Sequence, residues 1–231
     1  MVYMHYFEDE PSFDEQYSGG YYEPWVSLTN DIDRVDYNKS PLEPLEPLTF
    51  KILSDGKIIW KASSSGSVKT IQYSKNGGEW TDITSTTGGA DISVVTGDVL
   101  RFKGDVWSGN SSSNWSSFNS TCTFSAYGNP ASLKYGEATY GDEELGAYCY
   151  YLLFENCTGL VDASELKLPV TTLADNCYRS MFQGCTSLTA APALPATTLA
   201  SSCYQNMFFN TSLTAAPALP ATTLASSCYQ N

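Results

Sequence analysis

Between Leu48 and Asn129, apolar and polar residues alternate in short runs: LTFKIL, KIIWKAS, KTIQYS, DISVVTG, VLRFKG and STCTFSAYG. Alternation at period two sends successive side chains to opposite faces, and these runs are rich in β-branched and aromatic residues, so each reads as a half-buried strand. Turn residues separate them, including Ser54-Asp55-Gly56 and Lys75-Asn76-Gly77-Gly78. Six or seven short strands at roughly ten-residue spacing predict a β-sandwich. Trp60 and Trp80 fall inside strand patterns and are expected in its core.

From Cys149 onward the pattern changes. The segment Thr186–Asn206 is repeated without change as Thr211–Asn231, and Cys149, Cys177, Cys203 and Cys228 mark equivalent points in successive copies. Repeats of this length are usually units that cannot bury their apolar face alone and stack on their neighbours. Leu173, Cys177 and Met181, with Phe182 beside them, fall at the spacing of one helix face. Asp175 or Asn176, and Ser201 or Ser202 in the next copy, suit a helix start. Asn156, Gly184 and Asn210 suit its left-handed close. Leu188, Leu194 and Leu199, interleaved with Pro192 and Pro195, suit a short extended segment. One turn of helix and one short strand per copy predict a solenoid.

The stretch MFQGCTSLTAAPALP, with Phe182, Cys185 and Leu188 each three apart and a Leu-Pro pair after them, resembles the BspA-like leucine-rich repeats of bacterial surface proteins. The resemblance covers Cys149–Asn231, about a third of the chain. The chain departs from the ordinary leucine-rich pattern in lacking an asparagine ladder, and Thr211 stands where the family has Cys. The resemblance implies an extracellular binding or adhesion protein, often one that touches host proteins or other cells, with no catalytic residues. The preceding piece is similar to immunoglobulin-like modules of gut bacterial and phage proteins, on YSKNGGEWTDI and the order of its strands; the Cys-Trp-Cys spacing of true immunoglobulin domains is absent.

The expected organisation is therefore multi-domain: an acidic tail and linker over 1–46, an immunoglobulin-like β-sandwich over 47–129, a linker and cap over 130–148, and an α/β leucine-rich repeat solenoid over 149–231. The last copy stops at Asn231, before the apolar pair that follows Cys-Tyr in the others. A truncated array is expected, with Leu219 and Leu224 incompletely buried.

Charge narrows the partners. The 231 residues carry a formal charge of −13, and residues 1–50 hold eleven acids against two bases. Nucleic acid is an unsuited partner, because phosphate binding relies on clustered Lys and Arg. The start, MVYMHYFEDEP, lacks the basic and apolar regions of a signal peptide, and no run approaches the roughly 20 apolar residues of a membrane span. A cell-surface or extracellular location, or display on a virion, then requires an upstream start, a mature chain or a route without classical secretion.

Six of the seven cysteines recur at one or two fixed places in the repeat, as a ladder of small buried side chains would; disulfides are the alternative. Their spacings match no Cys-x-x-Cys zinc pattern, and Asp31 and Asp33 lack the glycine and closing glutamate of a calcium loop, so no metal or cofactor is assigned. The sole histidine, His5, lies in the tail, which disfavours Ser-His or Cys-His catalysis. Glu137, Asp142, Glu143 and Glu144 are the densest acid cluster, in a Gly-containing stretch that seldom holds the fixed separation glycoside hydrolysis needs. The chain is expected not to be an enzyme.

Two candidate binding surfaces remain. One is the repeated extended segment, with Thr189, Ala191 and Ala193 and the equivalent Thr214, Ala216 and Ala218, as a face for a macromolecular partner. The other is DVWSGNSSSNWSSFNS, where Trp107 and Trp115 stand among Ser and Asn. Exposed aromatics flanked by small polar groups can stack on a sugar ring; the same residues can instead plug the end of a sandwich.

Overall fold

The computed structural model describes residues 46–104, 111–136, 146–168 and 170–230. Eight strands form between residues 48 and 127: β1 (Leu48–Ile52), β2 (Gly56–Ala62), β3 (Thr70–Lys75), β4 (Thr81–Thr84), β5 (Ala90–Val94), β6 (Val99–Lys103), β7 (Ser116–Ser120) and β8 (Phe124–Tyr127). The run STCTFSAYG supplies β8 alone, and β4 and β7 are strands that the alternation does not single out, β7 falling on the SSFNS of the Trp-, Ser- and Asn-containing stretch. A four-residue helix, α1 (Ser132–Tyr135), is the one α-helix among the described residues, and a short strand, β9 (Leu160–Asp162), follows. The architecture is mostly β.

Two sheets form, of order β4-β3-β6-β1-β8-β9 and β5-β2-β7. The pairs are antiparallel except β8 with β9. Between the sheets Phe50 meets Phe102, Phe118 and Phe124 at 4.7, 5.0 and 4.6 Å between ring centroids. Trp60 is fully buried and donates its indole N–H to the Lys69 carbonyl at 3.0 Å, which satisfies the one polar atom it brings inside. Trp80, expected in the core, is half-buried outside it. It follows the Asn76-Gly77 turn, between β3 and β4 rather than in either, and holds the Lys103 ammonium 4.2 Å from its ring centroid.

Beyond residue 146 the expected helices are absent. Tyr148, Tyr150, Leu152 and Asn156 have φ near +57°, as do Asn176, Tyr178 and Ser180 in the next copy. A residue of this hand breaks a right-handed helix, and Asn and Gly tolerate it best. In the first copy, the N–H groups of Cys149, Tyr151, Leu153, Glu155 and Cys157 each bond the carbonyl three residues back. The N–H groups of Tyr148, Leu152, Phe154 and Asn156 instead point forward, to the carbonyls of Asp175, Arg179, Met181 and Gln183. Asn176, Ser180, Phe182 and Gly184 repeat this toward Ser201, Gln205, Met207 and Phe209; Tyr178 is the exception and bonds back to Cys149. The copies are coils stacked by their backbones. Asp175, expected to cap its own helix, uses its side chain across coils to accept the Ser201 N–H at 2.9 Å.

Side chains register with that ladder. Tyr150, Tyr178, Tyr204 and Tyr229 stack at 5.4, 5.7 and 5.7 Å, and Phe154, Phe182 and Phe208 at 5.5 and 5.6 Å. Phe154 also lies 5.9 Å from both Phe50 and Phe118, and the Leu153 carbonyl accepts the Phe118 N–H at 2.7 Å. One buried apolar cluster therefore runs from Leu48 to Cys228. Gly159 allows the join: a Cβ there would collide with the Cys122 carbonyl. Leu219 and Leu224 are 47% and 68% exposed, so neither is fully buried, as the repeat pattern predicts.

The expected strand of each copy is realised only in β9. The second copy meets the first only through isolated bridges, Asp162 with Ala190 and Thr172 with Thr198. Pro192 and Pro195 explain this, since a proline has no N–H to give a ladder.

Asp98 pins two turns together. Its carboxylate accepts the Asn76 side-chain N–H at 2.7 Å and the Val95 N–H at 2.8 Å, and pairs with Lys75 at 2.7 Å. Burial works to raise its pKa, but these donors outweigh it and hold the group at about 2. A carboxyl held below its ordinary value of about 3.9 contributes stability above that pH and loses it as pH falls toward the native value. Asp98→Asn should lower the thermal midpoint by several degrees at neutral pH, and its gap to wild type should close between about pH 4 and pH 2. A gap that stays constant down to pH 2 would show that the charge is not what Asp98 contributes.

Candidate functional site

The alternating coil backbone decides which side chains face out. In the sequence Cys-Tyr-x that opens each coil, Cys and Tyr are buried at Cys149 and Tyr150, Cys177 and Tyr178, and Cys203 and Tyr204. The third position is half-exposed in those coils: Tyr151, Arg179 and Gln205; in the next, Gln230 is exposed. These four residues form an outward row. The Arg179 guanidinium lies 6.0 Å from the Tyr151 ring centroid and donates to Asn176 Oδ1 at 3.0 Å, while Gln205 donates to Gln230 Oε1 at 2.8 Å.

Trp115 extends the row on the side of the sheets. It is half-buried, immediately before β7, and its backbone exchanges hydrogen bonds with Ser63: Ser63 N–H to the Trp115 carbonyl at 3.0 Å, and Trp115 N–H to Ser63 Oγ at 3.3 Å. Its ring meets Tyr151 edge-on at 5.6 Å and 73°. Tyr148 meets the same Tyr151 at 5.6 Å and 82°. Perpendicular rings make a walled corner rather than a flat patch. Burial pushes the Tyr151 hydroxyl above its usual pKa, with Arg179 opposing, so it stays a neutral donor and acceptor. Nearby Glu155 is likewise raised by burial and lowered by Lys61.

The other expected surface is placed differently. Thr189 is exposed and gives both its N–H and its hydroxyl to the Val161 carbonyl, at 3.0 and 3.1 Å. Ala191 is half-buried; Ala193 is exposed and lines an open groove of about 560 Å³ with Tyr127, Leu166, Leu168 and Pro195, beside the Lys167–Glu46 ion pair of 2.8 Å. Thr214, Ala216 and Ala218 are exposed. None of the six lies in a named strand, so the expected strand face is an irregular run of small side chains.

Trp107, His5, Asp31, Asp33 and the acids Glu137, Asp142, Glu143 and Glu144 lie outside the described residues. Trp115 was legible as a candidate. Tyr151, Arg179, Gln205 and Gln230 were not, although aligning the copies shows Tyr, Arg, Gln and Gln after the constant Cys-Tyr.

Among the described residues, no three His, Cys, Asp or Glu side chains are grouped to hold a metal ion, and no helix is long and apolar enough to cross a membrane. All seven cysteines are buried free thiols. Burial pushes Cys149 and Cys157 up to about 12, and Cys177 and Cys185 well above the ordinary range. No protein-family model matches the chain, and no curated protein or solved structure matches it either.

The thiolate is the reactive form of cysteine, so these thiols should be inert in the native chain. An aromatic disulfide reagent at about pH 8 should label none of the seven in the folded protein and all seven in guanidinium chloride. Fast labelling of several native thiols would contradict the continuous packing of the coils.

Proposed function

We propose that the chain is a non-catalytic, surface-displayed binding protein, in which an immunoglobulin-like β-sandwich carries a short leucine-rich repeat solenoid that recognises another macromolecule. The observation that carries this reading is the division of labour within each coil. Cys, Tyr and Phe recur at buried or half-buried positions and hold the stack, whereas the adjacent outward position is Tyr, Arg, Gln and Gln in successive coils. A scaffold that holds its stack with a repeated interior leaves its outward positions free of packing duty, which suits recognition.

Catalysis fits this arrangement poorly. The buried thiols are held in their protonated form, and among the described residues no histidine is available as a base. The partner is a protein or a cell-surface glycan, and the location is the outside of a cell or of a virion. Two surfaces are open to it: the Trp115–Gln230 row, and the small-residue run containing Thr189, Ala193 and Thr214.

The test is direct. The fluorescently labelled full chain, incubated with intact bacterial cells and with cultured epithelial cells, should bind at least one of them saturably and be displaced by unlabelled chain, whereas heat-unfolded chain should not compete. Absence of saturable binding to both cell kinds would overturn the reading.

A further inference from the structure

We propose that the outward row Trp115–Tyr151–Arg179–Gln205–Gln230 binds a linear, neutral glycan, with about one sugar to each coil. The proposal rests on the binding function above and names its ligand class.

Spacing is the first argument. Successive coils are set 5.4 to 5.7 Å apart by the stacked Tyr150, Tyr178, Tyr204 and Tyr229 rings. Between the first two coils of the row the Arg179 guanidinium lies 6.0 Å from the Tyr151 ring centroid, close to that interval. This is about the length of one pyranose unit in an extended glycan. A sugar chain lying along the row therefore stays in step with it, whereas an extended peptide advances about 3.3 Å per residue, with alternate side chains facing away, and does not.

The side chains are the second argument, because they suit a ring that is apolar on its faces and polar at its rim. At the sheet end, Trp115 and Tyr148 stand nearly perpendicular to Tyr151, at 73° and 82°. Such a corner offers a floor and a wall for the C–H face of one sugar, the amphipathic use for which Tyr and Trp are suited. Farther along, Gln205 and Gln230 are joined by a single hydrogen bond from Nε2 to Oε1. An amide side chain has two donors and an acceptor, so the Gln205 carbonyl oxygen and the Gln230 amide nitrogen remain to bond hydroxyls. Arg179 is held over Tyr151 and anchored on Asn176, which makes its planar guanidinium a fixed donor shelf between the two kinds of contact.

Charge selects among glycans. The row carries a single charge, that of Arg179, already engaged by the Tyr151 ring and Asn176 Oδ1, so it offers no cluster of cations for a sulfated or uronate-rich chain and suits an uncharged one.

Calorimetry of the full chain with cello-, laminari-, xylo- and manno-oligosaccharides of two to six units tests the idea. At least one series should bind, with affinity rising up to about four units, one for each coil in the row, and no further. Trp115→Ala and Tyr151→Ala should weaken binding by about fivefold to tenfold, the worth of one aromatic contact. Gln230→Ala should weaken the four-unit ligand and leave the two-unit ligand unchanged, a split that general destabilisation cannot mimic. If either aromatic variant fails to melt like wild type, Gln205→Ala and Gln230→Ala, both surface changes, decide alone. Failure of all four series to bind, affinity independent of length, or equal affinity in the glutamine variants would each overturn the proposal. Saturable cell binding with no oligosaccharide binding would sink the glycan assignment and leave the binding function standing; loss of both would remove the function as well.

Discussion

The second half of the molecule depends on one backbone device, the alternation of left- and right-handed residues along each coil. A non-glycine residue held left-handed costs roughly 1–2 kcal/mol, and Tyr150, Leu152 and Tyr178 are bulky examples. No isolated segment would hold that conformation several times over. What offsets it is the forward-pointing N–H of the alternate residues, which meets a carbonyl of the next coil and so leaves few buried backbone groups unpaired. The conformation and the stacking are one event: neither exists without the other.

That device fixes the side chains as well. Because equivalent residues sit directly over one another, Tyr stacks on Tyr and Phe on Phe within 5.4 to 5.7 Å. The thiols occupy equivalent places beside them and are sealed from water. What is left outward is a line of positions that packing does not constrain. The coil interval thereby becomes a property of the surface, and a ligand of matching repeat can use it.

The two halves are coupled through a small set of contacts. β9 adds to the β8 edge in parallel, the Phe118 N–H finds the Leu153 carbonyl, and Phe154 enters the cluster of Phe50 and Phe118. An edge strand left bare invites unwanted pairing, and the first coil covers this one. The same junction puts Trp115 against Tyr151, so the row of candidate ligand contacts begins on one half and continues on the other.

Period-two alternation was enough to place strands at Leu48–Ile52, Gly56–Ala62 and Val99–Lys103, because a half-buried strand writes its two faces directly into the chain. The copies were equally plain, and Asn156, Gly184 and Asn210 announced left-handed backbone that the structure contains. The same spacing that suggested a helix through Leu173, Cys177 and Met181 is also compatible with the stacked turns that form, since all three are buried either way. Trp80 read as core because it falls inside a strand pattern, yet it lies in the connection after the Gly77 turn, one residue before β4, and stays outside. The chain by itself determined most of the strands, the repeat and most of the residues that had to be hidden, all of which follow from local preference and apolar periodicity. Only the tertiary structure decided the hand of the coil backbone and the outward row from Trp115 to Gln230, because both depend on hydrogen bonds and ring contacts between residues about 25 or more positions apart.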